Sequence, residues 1–274
     1  MLIDRGFVRL AEGLMHYRSA GAENVRPLVM LHASPASSQS LEPLAGVVAG
    51  ERSVLMPDTP GNGASCPPAA AEPDLAAYAD MIDRYCGQLG LAEIDVYGTH
   101  TGAHIAIEWA IANPRRVRRV ILDGVAILSA EDLAEFLLRY APPRAPDAAG
   151  TQFAWAWNMI RDQMIFWPHY KQDAAHLRTG GQFEPELLHA LTLDLLNALP
   201  TYHQPYRAVF RHDPLARLPL VTQRILWLQA GHGPIDSNAE RAIAVLQSAV
   251  VVPAGDDAAR GAAIAEFLDA EAET

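Results

Sequence analysis

One histidine in this sequence lies where its side chain could act as a base. The stretch "VYGTHTGAHIA" (residues 96–106) predicts a strand, a tight turn and a helix, with His100 between Gly98 and Gly102. A helix N-terminus disfavours positive charge, so an imidazole there is favoured in its neutral form. A neutral imidazole can take a proton from water or from a substrate. His100 is therefore the first candidate catalytic residue, as general base or as nucleophile.

The segments around this turn alternate between predicted strands and predicted helices. Apolar runs predict strands at 27–33, 53–58, 94–98, 117–124, 224–231 and 249–255, and helical spacing predicts helices at 74–90, 102–113, 238–247 and towards 269. Two shorter strands are predicted on either side of Glu12 and Gly13. Such alternation is typical of a parallel sheet built from right-handed crossovers. We therefore predict an α/β core over 1–128 and 217–274, with a helical lid inserted at 129–216.

Composition limits the partners of the protein. Its 274 residues carry a formal net charge of −11, which argues against nonspecific binding to nucleic acid or to an anionic membrane. The two cysteines, Cys66 and Cys86, have no metal-ligand spacing, and no apolar run reaches the length of a membrane span. We expect a cytoplasmic monomer or homodimer that acts on a small molecule without a metal or another cofactor.

The predicted lid is rich in aromatic side chains with polar tips. Such side chains provide apolar walls and a few directed hydrogen bonds, which suits a small-molecule pocket. An arginine there could pair with a substrate carboxylate, although a surface salt bridge is its more common role. The candidate substrate-binding residues of the lid are Trp155, Arg161, Trp167, Tyr202, His203 and Tyr206.

Several motifs of the chain resemble those of the α/β-hydrolase fold family. "LHASP" (31–35) is similar to the family's His-Gly-x-Pro turn, "PDTPGNGAS" (57–65) to its Asp-x-x-Gly-x-Gly-x-Ser loop, and "GTHTG" (98–102) to its nucleophile elbow. The resemblance implies a mostly parallel sheet of eight strands flanked by helices, with a helical lid after the sixth strand. It also implies a hydrolase.

The catalytic positions of this chain depart from the family pattern. His100 stands where the family has its nucleophile, and "AGHGPI" (230–235) lacks the carboxylate of the family's acid loop. Asp256, or Asp257, stands where the family has its catalytic histidine. A conventional serine acyl-enzyme is therefore not implied. The resemblance implies instead a pair in which Asp256 or Asp257 contacts His100 and fixes its tautomer.

The resemblance also implies an oxyanion hole made of backbone amides, which does not depend on particular side chains. Its donors would be Thr101 together with Ala33 or Ser34. Ser34 is a second candidate nucleophile, with an ordinary turn residue as the alternative. His32 is expected to brace this turn or to contact the substrate. His232 lies in the loop that lost its acid, and we expect a substrate contact, a base or a solvated loop histidine.

Two further residues near the elbow have candidate roles. Asp123 ends the predicted sixth strand, where some family members carry an alternative acid, although such a residue more often binds loop backbone. His104 lies one helical turn beyond His100 and is expected to be a hydrogen-bonded packing residue.

Two classes of function fit this set of residues. The first is an enzyme without a cofactor, in which His100 acts as base and the amides stabilise an oxyanion. It would hydrolyse a small ester or carbonyl compound, with a C–C lyase, an isomerase or a decarboxylase as alternatives. The second is a noncatalytic ligand-binding protein that retains the pocket.

Overall fold

Eight strands form one sheet in the computed structural model, which describes residues 2–22, 26–50, 52–178, 184–229, 238–246 and 248–270. The strands are β1 (Asp4–Arg9), β2 (Leu14–Ala20), β3 (Leu28–Leu31), β4 (Val54–Pro57), β5 (Ile94–Thr99), β6 (Val117–Asp123), β7 (Arg224–Gln229) and β8 (Ala249–Pro253). They lie in the order β1-β2-β4-β3-β5-β6-β7-β8, with β2 antiparallel to both of its neighbours and all other pairs parallel. The predicted mostly parallel sheet of eight strands is confirmed.

Helices cover both faces of the sheet. Those of the core are α1 (Glu42–Val48), α2 (Leu75–Gln88), α3 (Thr101–Ala112), α9 (Ala239–Ile243) and α10 (Asp257–Asp269). Because side chains alternate along a strand, Val96 of β5 packs on the face covered by α2 and α3, while Tyr97 packs on the face covered by α1 and α10. The parallel strands are therefore buried on both sides, as their continuous apolar runs predict.

Helix α3 lies inside the protein rather than at its surface. Each residue from 101 to 110 is buried, including the polar His104 and Glu108. Polar side chains at such positions need hydrogen-bond partners inside the fold.

Between β6 and β7 the described chain is mostly helical. Its helices are α4 (Ala130–Arg139), α5 (Thr151–Ile165), α6 (Pro185–Asn197), α7 (His203–Phe210) and α8 (Pro214–Arg217). An isolated bridge between Phe166 and Leu177 folds the segment after α5 back on itself. The boundaries of the lid at 129 and 216, and its movement as a lid, stay predictions. None of the helices in the described ranges is both long and apolar enough to span a bilayer.

Candidate active site

The turn between β5 and α3 holds His100 in a strained conformation. Its φ of 48° and ψ of −112° make it the one non-glycine residue with positive φ among those described. A residue in such a sparsely populated region costs on the order of 1–3 kcal/mol. Two residues later, a Cβ on Gly102 would lie 2.1 Å from the carbonyl oxygen of Leu31, so only glycine lets the helix start so close to β3. The elbow predicted from "GTHTG" is thus present with its geometry intact.

The imidazole of His100 rests on the backbone of Gly124. A Cβ built on Gly124, whose φ is +71°, would lie 2.8 Å from Nδ1 of His100 and 3.5 Å from its Nε2. Interaction of the ring with the Gly124 backbone raises the pKa of His100. The contact depends on the absence of a side chain at residue 124.

Protein atoms around the ring keep His100 neutral at ordinary pH. Burial lowers the pKa of His100, the nearby Asp123 carboxylate offsets part of this effect, and the Arg178 guanidinium adds to it. The side chain is nevertheless exposed, because the ring borders an open cavity between the core and the helical segment after β6. His100 therefore combines a desolvated environment with access for a small molecule.

The cavity beside His100 has a volume of about 230 Å³. The core contributes the residues of the elbow and of the turn after β3, and the helical segment between β6 and β7 contributes mostly aromatic and apolar side chains. The helical segment's lining residues are Tyr140, Ile160, Gln163, Trp167, Arg178, Leu191, Tyr206, Val209 and Phe210. An apolar cavity with a few polar groups is the common form of a small-molecule site.

The turn after β3 brings backbone groups to the cavity next to the elbow. Ala33, Ser34 and Thr101 all line it. Thr101 is the first residue of α3, so its amide has no acceptor inside the helix. The amide of Ser34 donates to Oγ1 of Thr101 at 3.4 Å, a long hydrogen bond that joins the two segments. The arrangement is compatible with the predicted oxyanion donors, whose role stays a prediction.

His32 is a brace of this turn and not a substrate contact. It is fully buried, and its Nε2 accepts a hydrogen bond from the amide of Thr59 at 2.9 Å. Its Nδ1 must then carry the proton and donates to the carbonyl of Ala33 at 2.8 Å. Burial lowers the pKa of His32 and so keeps the ring neutral. Of the two roles expected for His32, the structure supports the bracing role.

The predicted pairing of His100 with Asp256 or Asp257 is wrong. The Asp256 carboxylate is exposed and caps α10 by accepting from the amide of Ala259 at 2.9 Å. Asp257 lies in the first turn of the same helix, 3.6 Å from Arg260. Both carboxylates are used at a helix N-terminus, where negative charge is favoured. The end of β8 therefore does not supply the acid.

The carboxylate that acts on His100 is that of Asp123. It raises the pKa of His100, and the carbonyl of Asp123 accepts the His100 amide at 2.9 Å. Its Oδ2 accepts from the Tyr97 hydroxyl at 2.8 Å and lies 3.2 Å from Nε of Arg260. The position was visible in sequence as the end of β6, adjacent to β5 in the sheet. Asp256 was the preferred candidate because the family resemblance predicts that the partner of the apex residue follows β8.

Only part of the predicted substrate-binding set meets at the cavity. Trp167 and Tyr206 line it, and the Tyr206 hydroxyl also donates to the carbonyl of Ser34 at 2.7 Å. Trp155, Arg161, Tyr202 and His203 are not among its lining residues.

Trp155, Tyr202 and Arg161 have partners away from the cavity. Tyr202 is fully buried, packs against Trp155 with ring centroids 5.4 Å apart, and donates its hydroxyl to the carbonyl of Pro142. Arg161 pairs with its neighbour Asp162 at 2.7 Å. The prediction failed there because composition identifies pocket-forming residue types without saying which side of a helix faces the pocket. His232 lies outside the described residues.

Sequence reasoning missed Tyr140 and Arg178. Arg178 follows the bridge between Phe166 and Leu177, which turns the chain back towards the cavity. Its Nη1 donates to the carbonyl of Gln163 at 2.9 Å. No periodic pattern marks Arg178, because its position depends on a contact outside regular secondary structure.

Ser34 lines the cavity, but its hydroxyl is poorly placed for attack. The Oγ atom is shielded from solvent and has no hydrogen-bond partner in the described part of the chain. A serine nucleophile needs a base within hydrogen-bond reach. The alternative role as an ordinary turn residue fits these contacts better.

Known proteins with the same architecture were found by sequence and by structure. A family model described as the alpha/beta hydrolase fold matches residues 26–243. The 2-hydroxy-6-oxononadienedioate/2-hydroxy-6-oxononatrienedioate hydrolase 2 of Pseudomonas putida is 37% identical over 129 residues, or 43% of this chain and 44% of that protein. The 2-hydroxymuconate semialdehyde hydrolase of Pseudomonas sp. (strain CF600) is 33% identical over 38% of each chain. The matches thus span less than half the length of these curated relatives.

Solved structures match over almost the whole chain. Epoxide hydrolase A from Mycobacterium thermoresistibile has a TM-score of 0.75 at 18% identity, covering 97% of this chain and 98% of that one. The enol-lactonase from Burkholderia xenovorans LB400 has a TM-score of 0.71 at 17% identity, covering 96% and 98%. At these identities the likeness concerns the fold.

Proposed function

Because this chain belongs to the alpha/beta hydrolase fold family, we propose that it is a hydrolase that acts without a cofactor on a small ester or carbonyl compound. His100 takes the part of general base, and water replaces a serine as the attacking group. The observation that carries the proposal is His100 itself, strained at the apex of the elbow with its ring open to the cavity. Strain of this kind persists where the surrounding structure maintains it, and it is concentrated at functional sites.

The environment of His100 suits a base. Its lowered pKa leaves the imidazole neutral at neutral pH, so that one ring nitrogen has a free lone pair. In the proposed tautomer Nδ1 carries the proton, and Nε2, which lies farther from the place of a Cβ on Gly124, has the free lone pair. The Asp123 charge then stabilises the imidazolium that forms when Nε2 accepts a proton.

The reaction follows from these positions. Nε2 of His100 removes a proton from water while the water oxygen bonds to the carbonyl carbon, and the C=O electron pair moves onto the carbonyl oxygen. The amide of Thr101, with Ala33 or Ser34, donates hydrogen bonds to that oxyanion. When the oxyanion collapses, the bond to the leaving group breaks, and the leaving group takes the proton back from the imidazolium. One water is consumed, and His100 returns to its neutral state.

The substrate is proposed to be an acid that also carries a carbonyl group. Arg178 lines the cavity and supplies a cation, and Tyr140, Trp167 and Tyr206 supply aromatic walls. A guanidinium binds a carboxylate through paired hydrogen bonds. The two relatives are named for unsaturated acids that carry a carbonyl group.

The test is a panel of chromogenic esters, enol lactones and unsaturated oxo acids, assayed with the full chain and with His100→Ala. We expect turnover of at least one compound and its loss by about 100-fold or more in His100→Ala, since one general base contributes at least this much. His176→Ala is the control, because His176 is bonded to Asp173 at 2.7 Å and does not line the cavity. Turnover that survives in His100→Ala contradicts the mechanism, and a panel without turnover favours the noncatalytic binding protein.

A further inference from the structure

A chain of hydrogen bonds runs from the loop after β6, past His104 at the wall of the cavity, to Glu108 in α3. The amide of Ala126 donates to Nε2 of His104 at 3.2 Å, and Nδ1 of His104 lies 2.9 Å from Nδ1 of His212. Nε2 of His212 lies 2.9 Å from Oε1 of Glu108. Both Glu108 oxygens also accept from Arg217, at 2.7 Å each. Nothing in the mechanism proposed above uses His104, His212 or Glu108.

The two ends of this chain determine where its protons lie. An amide can only donate, so Nε2 of His104 must be unprotonated, and the proton of this ring is on Nδ1. That proton is donated to Nδ1 of His212, whose own proton must then be on Nε2 and points at the Glu108 carboxylate. Each donor therefore meets one acceptor, in a single direction from Ala126 to Glu108.

The charges around the chain maintain this order. Burial lowers the pKa of His104 well below its ordinary value, and the neighbouring His212 and His100 act in the same direction. Burial raises the pKa of Glu108, but hydrogen bonds from His212 and Arg217 outweigh it and lower the pKa to about 2. The hydrogen-bond chain therefore ends on the Glu108 carboxylate, a permanent anion that is paired with the permanently charged Arg217 guanidinium.

The hydrogen-bond chain holds a loop segment, residues 124–126, that supports the His100 ring. Residues 124–126 have no regular secondary structure, so their backbone groups depend on partners from elsewhere. Gly124 carries the His100 ring, and Ala126 lines the same cavity two residues later. The fixed amide of Ala126 thus limits how far Gly124 can move from the ring.

We propose that His104 is a positioning residue of the active site, which acts through the ordered chain of Ala126, His104, His212 and Glu108 to hold Gly124 against the His100 ring. The proposal rests on the proposed function of His100. Its structural part, the proton order and the held amide, can be measured without any substrate.

The first experiment reads the proton order by NMR on the full chain labelled with ¹⁵N. Two-bond correlations between ring carbon-bound protons and ring nitrogens distinguish the tautomers of each imidazole. We expect unprotonated Nε2 in His104 and unprotonated Nδ1 in His212. The opposite tautomer in His104 overturns the proposal.

The second experiment compares His104→Gln with His104→Phe. The glutamine oxygen can take the place of Nε2 as acceptor, whereas phenylalanine fills the space without accepting. We expect the Ala126 amide to exchange about tenfold faster or more in His104→Phe, the equivalent of one lost hydrogen bond, and to stay protected in His104→Gln. Equal exchange in both variants contradicts the proposal.

The third readout is turnover of the ester on which the wild type is active. We expect His104→Phe to lower kcat by about 10- to 100-fold with little change in KM, and His104→Gln to retain most of it, because small displacements of a base are costly. Trp109→Phe is the control, since it removes another partly buried hydrogen bond of α3, to Asp83 at 3.0 Å, from a residue that does not line the cavity. An equal loss of kcat in the control and in His104→Phe overturns the positioning role.

If the wild type shows no turnover, the proposed function is refuted. The positioning role of His104 is then tested by measurements on the His100 ring alone. We then expect the midpoint of the NMR titration of His100 to shift in His104→Phe and to be restored in His104→Gln. An unchanged midpoint in His104→Phe overturns the positioning role independently of any enzyme activity.

Discussion

The imidazole of His100 lies so close to the backbone of Gly124 that a Cβ on residue 124 would come within 2.8 Å of its Nδ1. The contact joins the strained apex of the elbow to the loop after β6. Replacing Gly124 by alanine, the smallest possible substitution, therefore tests the geometry of the base.

Gly124→Ala is therefore expected to displace the His100 ring and lower kcat/KM by about 100-fold. Stability should fall by about 1–2 kcal/mol, because a residue with a Cβ is strained at positive φ. Gly90→Ala is the matched control, because Gly90 has the same φ of +71° and a Cβ there would meet nothing within 4 Å. Steady-state kinetics and thermal unfolding of both variants check this, and equal activities would contradict the importance of the contact.

His100→Gly is expected to abolish turnover and at the same time stabilise the fold. Glycine adopts the observed φ of 48° and ψ of −112° without a steric penalty, so relief of strain should raise the free energy of unfolding by about 1 kcal/mol. Chemical denaturation measures this change. Thr101→Gly, within the first turn of α3, should instead lower stability, and a less stable His100→Gly would show that the apex is not strained.

The activity should fall at acid pH as His100 becomes protonated. Because burial lowers the pKa of His100 from 6.5, the midpoint of the acid limb of kcat/KM should lie below the ordinary histidine value. The Asp123 carboxylate raises this pKa, so Asp123→Asn should move the acid limb to lower pH. Asp257→Asn is the control, since Asp257 contacts Arg260 without acting on His100. An acid limb that moves upward in Asp123→Asn contradicts the pairing.

Asp194→Asn is expected to stabilise the protein at neutral pH. The Asp194 carboxylate accepts two hydrogen bonds from Ser37 at 2.9 Å, yet burial raises its pKa from 3.8 to about 6. When the pKa of a carboxyl is raised in the folded state, its ionisation lowers the free energy of unfolding as the pH rises from about 4 through 6. The full loss of stability persists above that range. The asparagine removes this penalty, so we expect a gain of roughly 1–3 kcal/mol at pH 8 and little change at pH 4.

Thermal unfolding at both pH values measures the effect of Asp194→Asn. Asp256→Asn is the control, because Asp256 is exposed and asparagine caps a helix as well as aspartate does. A gain at pH 4 equal to that at pH 8 would point to a cause other than ionisation.

Ser34→Ala should retain nearly all of the activity. Its hydroxyl is shielded and without a partner in the described ranges, so its removal should be neutral or slightly stabilising. Labelling with a fluorophosphonate should fail in the wild type for the same reason. Labelling that disappears in Ser34→Ala would identify a serine nucleophile after all.

The sheet, the elbow and the turn after β3 could be predicted from the sequence alone. These depend on contiguous stretches, in which apolar runs, glycines and turn residues specify the backbone locally. His100 was identifiable for the same reason, since its role follows from its place between Gly98 and Gly102.

The groups that surround His100 depend instead on how distant segments pack together. Asp123 replaced Asp256 as the acting carboxylate because Asp256 is used as the cap of α10. Arg178 reaches the cavity through a bridge in an irregular segment, and His104 meets His212 across 108 positions of the chain. Such contacts join distant segments, and their geometry depends on how helices pack, which local sequence patterns do not encode.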